Sequence, residues 1–456
     1  MSEQPKKIHV RTFGCQMNDY DSERMYRLME REGWVRTSAA DDADLIVINT
    51  CSVREKADHK AVSEVGLLRR HKERRPGTLL ALSGCTAQVS GARIMKRMPE
   101  LDLVIGTHAI DKLPEMVREA AAKRVINVEW DYEGLVDFDA IEPLAPGGEI
   151  SWKGTRASGF VAIMRGCDKH CAFCIVPQTR GREISRPMDD IIAEVRSLVD
   201  AGVRDITLLG QIVNRYGRGI EGQRPTFHRL IRAITPIDRL ARLRFTSSHP
   251  TYVTHELIRC FAEEPKLAPH VHLPVQSGSD AVLRHMKRGH RIDTYREKVS
   301  ELRRARPDMA ITTDLIVGYP EETREDFEAT LDLIREVEFD HLFAFKYSTR
   351  PNTPAAMLDD RVSEDEKAER LARLHEVSQP IILRRNRAIE GRVLDVIVEG
   401  TSRNGTDVFG RSGCNRVVHF PDDGFQIGET VAVRIETGLP NALRGRAERG
   451  SAAAAG

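Results

Sequence analysis

Arg165-Gly166-Cys167-Asp168-Lys169-His170-Cys171-Ala172-Phe173-Cys174 sets three thiols within eight residues, directly after a strand-like run at 160–164. That density is enough to wrap one metal centre. A structural zinc site takes four protein ligands; no second Cys or His pair follows at finger-like spacing, and His170 is the nearby candidate for a fourth. Thiolates also hold iron in iron-sulfur clusters, where three of them anchor three irons of a four-iron cluster and leave the last open to a small molecule. An open iron points to catalysis and a completed zinc knuckle to structure.

Outward from the triad, strand-like runs recur at 160–164, 205–209, 243–246, 271–275, 311–317 and 341–346, with amphipathic helical stretches between most of them. Six such units predict a partial barrel of parallel strands, (β/α)6. Upstream, 129–152 turns acidic, holds two prolines and Gly147-Gly148, and reads as a linker. Before it, strands at 8–13, 45–49, 79–83 and 103–106 alternate with helical stretches at 22–32 and 54–74, which predicts an open parallel sheet with helices on both faces. Downstream of an Arg-rich helical stretch ending near Arg387, short strands at 393–399, 407–411, 416–420 and 430–435 predict a small antiparallel β-barrel. The low-complexity tail, 451–456, is expected to be disordered. The expected fold class is α/β, in three domains at 6–123, 153–382 and 383–448.

Cys15, Cys51 and Cys85 each fall just beyond a strand of the N-terminal domain. In an open parallel sheet the C-terminal strand ends share one edge, so thiols far apart in sequence converge there. Their neighbours in Phe13-Gly14-Cys15-Gln16-Met17-Asn18, Asn49-Thr50-Cys51-Ser52 and Ser83-Gly84-Cys85-Thr86 are mostly small or polar, which places them on turns. Taken singly, each is more often an inert buried thiol. Recurrence at three equivalent positions reverses that and predicts a second iron-sulfur cluster, again with one iron lacking a protein ligand. Cys260 and Cys414 have no such company and read as structural.

Acids and bases nearly cancel, 68 against 69, so net charge offers no argument for nucleic acid. Eight cysteines in 456 residues are too few for a disulfide scaffold, and reduced thiols imply a cytoplasmic protein. The polar start at 1–7 lacks the apolar core of a signal peptide, and no run is long enough to span a bilayer, so no membrane partner is expected.

The Cys-x-x-x-Cys-x-x-Cys spacing, with Phe173 before the last Cys, is similar to the signature of the radical S-adenosylmethionine superfamily. Two cysteine triads in this order, followed by a small β-barrel, closely resemble the methylthiotransferases from about residue 8 to 446. Thr12-Phe13-Gly14-Cys15-Gln16-Met17-Asn18, Leu209-Gly210-Gln211-Ile212-Val213-Asn214 and Thr246-Ser247-Ser248-His249-Pro250 resemble the branch that modifies isopentenyladenosine beside the anticodon of transfer RNA. So do Cys174-Ile175-Val176-Pro177-Gln178-Thr179-Arg180-Gly181 and His272-Leu273-Pro274-Val275-Gln276-Ser277-Gly278-Ser279-Asp280. Ile212 departs from the pattern, where the family often has Asn. The last domain resembles the RNA-binding TRAM barrel, in which Arg384-Arg385-Asn386-Arg387, Arg403, Arg411 and Arg416 offer donors to phosphates; a solvated barrel face is the plain alternative.

The resemblance implies two four-iron clusters and S-adenosyl-L-methionine. The cluster on Cys167, Cys171 and Cys174 would bind the cofactor at its open iron and release a deoxyadenosyl radical, and the one on Cys15, Cys51 and Cys85 would present sulfur. The adenine C2–H is neither acidic nor open to nucleophiles, so placing a methylthio group there calls for cofactor radical chemistry. Phe173 is expected beside the cofactor's adenine and Asp314 against S-adenosylmethionine, with a core contact and a paired buried carboxylate as their plain alternatives. Arg180 and Arg182 offer donors to a phosphate or carboxylate, or form a surface pair without function. His249, His270 and His272 cluster near strand ends and carry no assigned role.

Expected partners are transfer RNA carrying isopentenyladenosine, an electron donor such as flavodoxin or ferredoxin, and a sulfur source, with the chain a monomer. Two other readings compete. The same chemistry could act on threonylcarbamoyladenosine or a ribosomal protein, which incubation with each substrate separates. A non-catalytic electron-transfer protein would leave its reduced cluster's spectrum unmoved by S-adenosylmethionine, although such carriers normally complete all four ligands.

Overall fold

The computed structural model describes residues 4–52, 55–130, 157–218, 226–403 and 405–448, with the side chains of 55–62 outside that description. Most of the expected linker and the whole of the expected tail lie outside the described residues. At the linker's start, Trp130 packs edge-on against His108 with ring centroids 4.5 Å apart, so ordered packing runs beyond 129.

The chain forms two compact units. The first gathers the described N-terminal residues through 130 with Met164–Lys169 and Cys174–Arg186. Its elements are β1 (Lys7–Phe13), α1 (Gln16–Arg31), β2 (Val35–Arg36), β3 (Leu45–Thr50), α2 (Glu55–Arg74), β4 (Leu79–Gly84), α3 (Cys85–Arg97), β5 (Leu103–Ile105), α4 (Leu113–Ala120) and β6 (Val125–Asn127). All six strands run parallel in the order β2-β1-β3-β4-β5-β6. β3 is buried along its whole length, as a strand covered on both faces must be. Leu45 and Val47 join Met25, Met29 and Leu113 on one face; Ile46 and Ile48 join Leu82 and Ile94 on the other.

The second unit begins with β7 (Ser158–Ala162). The expected strand at 160–164 breaks there: Met164–Arg165 (β8) lies in the first unit and pairs antiparallel with Ile184–Ser185 (β9), beyond the short helix α5 (Val176–Arg180). The second unit continues through α6 (Met188–Asp200), β10 (Asp205–Leu209), α7 (Phe227–Ile234), β11 (Arg242–Phe245), α8 (His255–Glu263) and β12 (His270–His272). After these come α9 (Asp280–His285), α10 (Ile292–Ala305), β13 (Ala310–Val317), α11 (Arg324–Val337) and β14 (His341–Lys346). The strands form two parallel sheets, β11-β10-β7 and β12-β13-β14, which the parallel bridge Leu243–Leu267 brings edge to edge. This is the expected six-stranded partial barrel.

Helix α12 (Glu364–Arg387) leads into β15 (Val393–Thr401), β16 (Asp407–Ser412), β17 (Val417–Pro421), β18 (Thr430–Gly438) and β19 (Leu443–Ala447). They close a barrel in the order β15-β16-β17-β19-β18 around Val396, Val398, Phe420 and Val433. The strand β19, absent from the sequence reading, closes the ring by pairing parallel with β17.

Candidate active site

β1, β3 and β4 are neighbours, so Cys15, Cys51 and Cys85 follow three adjacent strand ends on one edge of the first sheet. β1 and β3 flank the point where the strand order reverses, which is where open α/β sheets form binding crevices. Cys85 opens α3 instead of lying on a turn. A hydrogen-bond chain ties the three ends together. Asn18 Nδ2 donates to Asn49 Oδ1 at 3.1 Å and to Thr50 O at 2.9 Å, while Asn18 Oδ1 lies 3.3 Å from Cys15 Sγ. Asn49 Nδ2 donates back to Asn18 O at 2.8 Å, and Thr50 Oγ1 donates to Ser83 O at 2.6 Å. Gly84 permits the close approach: at φ +88°, a Cβ there would lie 2.3 Å from Thr50 O.

Cys51 and Cys85 are buried, whereas Cys15 keeps solvent access with protein around most of it. A hydrogen bond with Cys51 is the main cause lowering the Cys15 thiol to about 6; burial opposes this and the charge of Arg180 assists. Burial pushes the Cys85 thiol up, against the pull of Arg180. The thiolate is the form that binds metal and attacks electrophiles. In the metal-free chain, iodoacetamide should therefore alkylate Cys15 with a midpoint near pH 6, while Cys85 stays slow, as peptide mass mapping across roughly pH 5 to 9 would show. A Cys15 midpoint in the ordinary thiol range, about 8.5, would contradict this geometry.

Arg180 is brought to the same edge by α5. Its Nη1 lies 2.7 Å from Asp21 Oδ2, and both side chains are buried. Burial works against the Arg180 charge, but Asp21, Cys85 and Cys15 keep it protonated. Of the two alternatives for Arg180 and Arg182, the surface pair fails for Arg180, which is buried against a carboxylate, while Arg182 is exposed. The segment is pinned by backbone contacts. Thr107 Oγ1 donates to Thr179 O at 2.5 Å, His108 Nε2–H to Arg180 O at 3.1 Å, and Cys167 N–H to Gly181 O at 3.0 Å. Gly166, at φ +72°, has no room for a side chain, since a Cβ would lie 1.8 Å from Arg182 O.

In the second unit, buried Cys171 receives Arg288, whose Nη1 is 3.5 Å from its sulfur and whose Nη2 donates to Pro274 O at 2.9 Å. Phe173 packs against the cluster of Ala172, Val282, Met286, Tyr319 and Tyr347. Asp314 is half-buried with Oδ2 3.4 Å from His272 Nε2, and His272 Nδ1 meets Thr312 Oγ1 at 3.0 Å. Burial lowers the His270 pKa well below its usual value, so that ring is neutral. Just past the barrel strands, Ser247 at φ +62° and Gln276 at φ +80° hold left-handed conformations, the kind of strain that ligand sites retain.

Asn214 clamps His249 through both backbone groups, with Nδ2 donating to His249 O and His249 N–H donating to Oδ1, each at 2.9 Å. Beside them, the buried Gln211 Oε1 and Ser248 Oγ have no hydrogen-bond partner among the described residues, so polar groups are available there for a ligand. Ile212 is buried and fills core space. Asn214→Ala should cost about 1–3 kcal/mol by leaving two backbone groups of His249 unpaired. At roughly 2–4 °C per kcal/mol for a unit of this size, calorimetry would read a midpoint several degrees lower. An unchanged midpoint would make the clamp redundant.

Most of the arginines offered to RNA phosphate are engaged internally. Arg385 grips Asp340 through Nε at 3.0 Å and Nη2 at 2.9 Å, and Arg416 binds the same carboxylate at 2.5 Å and Asn386 Oδ1 at 2.8 Å. Arg384 pairs with Glu338 at 2.5 Å and Arg411 with Glu399 at 3.2 Å. Arg387 and Arg403 stay exposed. Cys260 is buried in α8 and Cys414 is half-buried beside Ser412 Oγ at 3.2 Å. Among the described residues, no three His, Cys, Asp or Glu side chains are grouped so as to hold a single metal ion.

Three family models match successive parts of the chain: Uncharacterized protein family UPF0004 over 7–106, the Radical SAM superfamily over 161–334 and the TRAM domain over 387–447. A tRNA-2-methylthio-N(6)-dimethylallyladenosine synthase of Geobacter metallireducens is 46% identical over 96% of this chain and 98% of its own. The chain belongs to this synthase family. A relative with the same name from Shewanella woodyi is 44% identical over 98% of this chain and 93% of its own. Among solved structures, the radical S-adenosylmethionine methyltransferase TsrM of Kitasatospora setae, with cobalamin and a 4Fe-4S cluster bound, superposes at a TM-score of 0.58. At 15% identity over 79% of this chain and 78% of that one, it shares the fold alone. Asn18, Asn49 and Asn214 stand out in the sequence only as parts of motifs, Arg180 only as a donor without a known acceptor, and Asp21 and Arg288 not at all; the fold shows what these residues hold.

Proposed function

We propose that the chain attaches a methylthio group to the 2-position of N6-dimethylallyladenosine next to the anticodon of transfer RNA. The observation that carries this is the near-full-length match to synthases named for that reaction, in a chain that holds two cysteine triads, the first of them on three adjacent parallel-strand ends. Domains at 6–123, 153–382 and 383–448 would divide the work among sulfur delivery, radical generation and RNA binding.

The residues fit a pair of iron-sulfur groups. Cys15, Cys51 and Cys85 supply thiols along one sheet edge with a buried cation beside them, and Cys167, Cys171 and Cys174 supply three more. Two four-iron clusters on these six residues, with S-adenosyl-L-methionine, would furnish sulfur, methyl and the radical that opens the adenine C2–H bond. Arg288 would orient Cys171 by donating to its sulfur. Gln211 and Ser248 would accept or donate to polar atoms of the bound cofactor, Asp314 would receive its ammonium or hydroxyl groups, and Phe173 would border its adenine. Exposed Arg387 and Arg403 remain as phosphate donors.

The proposed setting is the cytoplasm, with a flavodoxin- or ferredoxin-like electron donor, a separate sulfur source and a monomeric chain. No helix among the described residues is long and apolar enough to cross a membrane. The test is incubation of reconstituted enzyme with dimethylallyladenosine-containing tRNA, threonylcarbamoyladenosine-containing tRNA and ribosomal protein, followed by mass analysis. A methylthio product from the first substrate alone supports the proposal, and product from either of the others in its place overturns it.

A further inference from the structure

We infer that Arg180, although carried by the segment that follows Cys174, is the charge-compensating and positioning residue for the iron-sulfur group on Cys15, Cys51 and Cys85. The inference rests on that reading of the three cysteines and adds a residue outside the ligand set.

A buried cation persists only where negative charge meets it. Arg180 is 5% exposed, and Asp21, its one carboxylate partner among the described residues, is 1% exposed. That pair uses Nη1, at 2.7 Å. The other terminal nitrogen, Nη2, is buried and has no hydrogen-bond partner among the described residues. The guanidinium also lies within hydrogen-bonding reach of Cys85, and its charge acts on Cys15 as well. A buried N–H with no hydrogen-bond partner among the described residues, beside the thiols of Cys85 and Cys15, fits an acceptor that arrives with the bound group, such as a cluster sulfide or a ligating thiolate.

The remaining charges near this pair leave the role to Arg180. Arg24 is also buried, with Nη1 likewise unpartnered among the described residues, but it pairs with Asp111, whereas Arg180 is the cation whose charge acts on Cys15 and Cys85. Asp21 cannot compensate a negatively charged cluster, because it carries the same sign. The position of Arg180 is fixed by its neighbours' backbone: the carbonyls of Thr179, Arg180 and Gly181 accept from Thr107, His108 and Cys167 in turn. The same turn that presents the guanidinium to one triad therefore holds the amide of the first cysteine of the other. Hydrogen bonds to cluster sulfurs and nearby positive charge both favour the reduced, more negative state and slow cluster loss.

The test uses the full chain with Cys167, Cys171 and Cys174 replaced by Ala, so that only the N-terminal group can be loaded. In that background, Arg180→Lys keeps the charge and loses the fork, and the double variant Arg180→Gln with Asp21→Asn removes both members of the buried pair without stranding either. Iron and sulfide content, the midpoint potential by spectroscopic titration, and apo-chain melting are measured. The double variant should melt near its parent, yet release iron to a chelator at least tenfold faster. Its midpoint should shift negative by about 59 mV or more, a tenfold change in a one-electron equilibrium. The Lys variant should move the same way by less, and it decides the question if the double variant does not fold. Parent-like potential and iron retention in a folded variant would overturn the inference. A parent background that binds no iron would instead overturn the assignment of Cys15, Cys51 and Cys85, visible before Arg180 is touched, and the inference falls with it.

Discussion

Replacing Cys167, Cys171 and Cys174 together by Ala is expected to lower iron in the reconstituted protein from about eight atoms per chain to about four, and to abolish methylthiolation. The remaining four should persist because the other triad has its own support. Asn18, Asn49, Thr50 and Ser83 tie its three strand ends together without involving residues 167–174. The reciprocal variant, with Cys15, Cys51 and Cys85 replaced, should also hold about four irons and still cleave S-adenosylmethionine, yet form no methylthio product. Iron and sulfide analysis paired with nucleoside mass spectrometry reads both arms. A wild-type chain saturating at about four irons would remove the two-cluster assignment. Full iron loading with no modified nucleoside would remove the tRNA assignment and leave the clusters standing.

The six central strands were legible because each is an apolar run bounded by polar turns, and five of the six appear within a few residues of the expected place. The first breaks early, since Met164-Arg165 leaves β7 to pair with Ile184-Ser185, a partner that no local pattern reveals. β2 and β6 escaped notice because two and three half-exposed residues on sheet edges produce no period-2 signal. The strand β19, Leu-Arg-Gly-Arg-Ala, reads as a charged loop until the barrel needs a fifth strand. The cysteines could be found from sequence because recurrence at strand ends is countable. The partner of Arg180 could not: Asp21 lies far away in sequence, and a lone Arg after a cysteine motif looks the same whether it faces water or a buried carboxylate. The arginines of the last domain erred in the opposite sense, because composition shows donors and hides that Asp340 already occupies two of them.

Asp205→Ala should be the most damaging single change outside the cysteines, costing about 3–5 kcal/mol. Asp205 opens β10 and is 3% exposed. Its carboxylate accepts from Arg244 Nε at 3.1 and 2.9 Å and from Arg242 Nη1 at 3.4 Å. Both guanidinium groups then reach into the C-terminal barrel. Arg242 donates to Arg411 O at 2.8 Å and Asp395 O at 3.0 Å, and Arg244 donates to Ser412 O at 2.7 Å and Gly413 O at 3.1 Å. One carboxylate therefore sits between two buried cations that fasten the barrel to β11 and offsets part of their charge. Burial and the neighbouring Arg244 charge already lower the Arg242 pKa, so removing the carboxylate strands two like charges in a dry interface. The exposed pair Arg239–Asp200, at 2.6 Å, provides the contrast, with an expected cost of about 0–1 kcal/mol on truncation. Calorimetry should place Asp205→Ala roughly ten degrees below the parent. Limited proteolysis should release the last domain from the variant first, because the fastening is lost at that interface. An Asp205→Ala midpoint close to that of Asp200→Ala would mean that the barrel is held by apolar contact, with the buried ions contributing nothing.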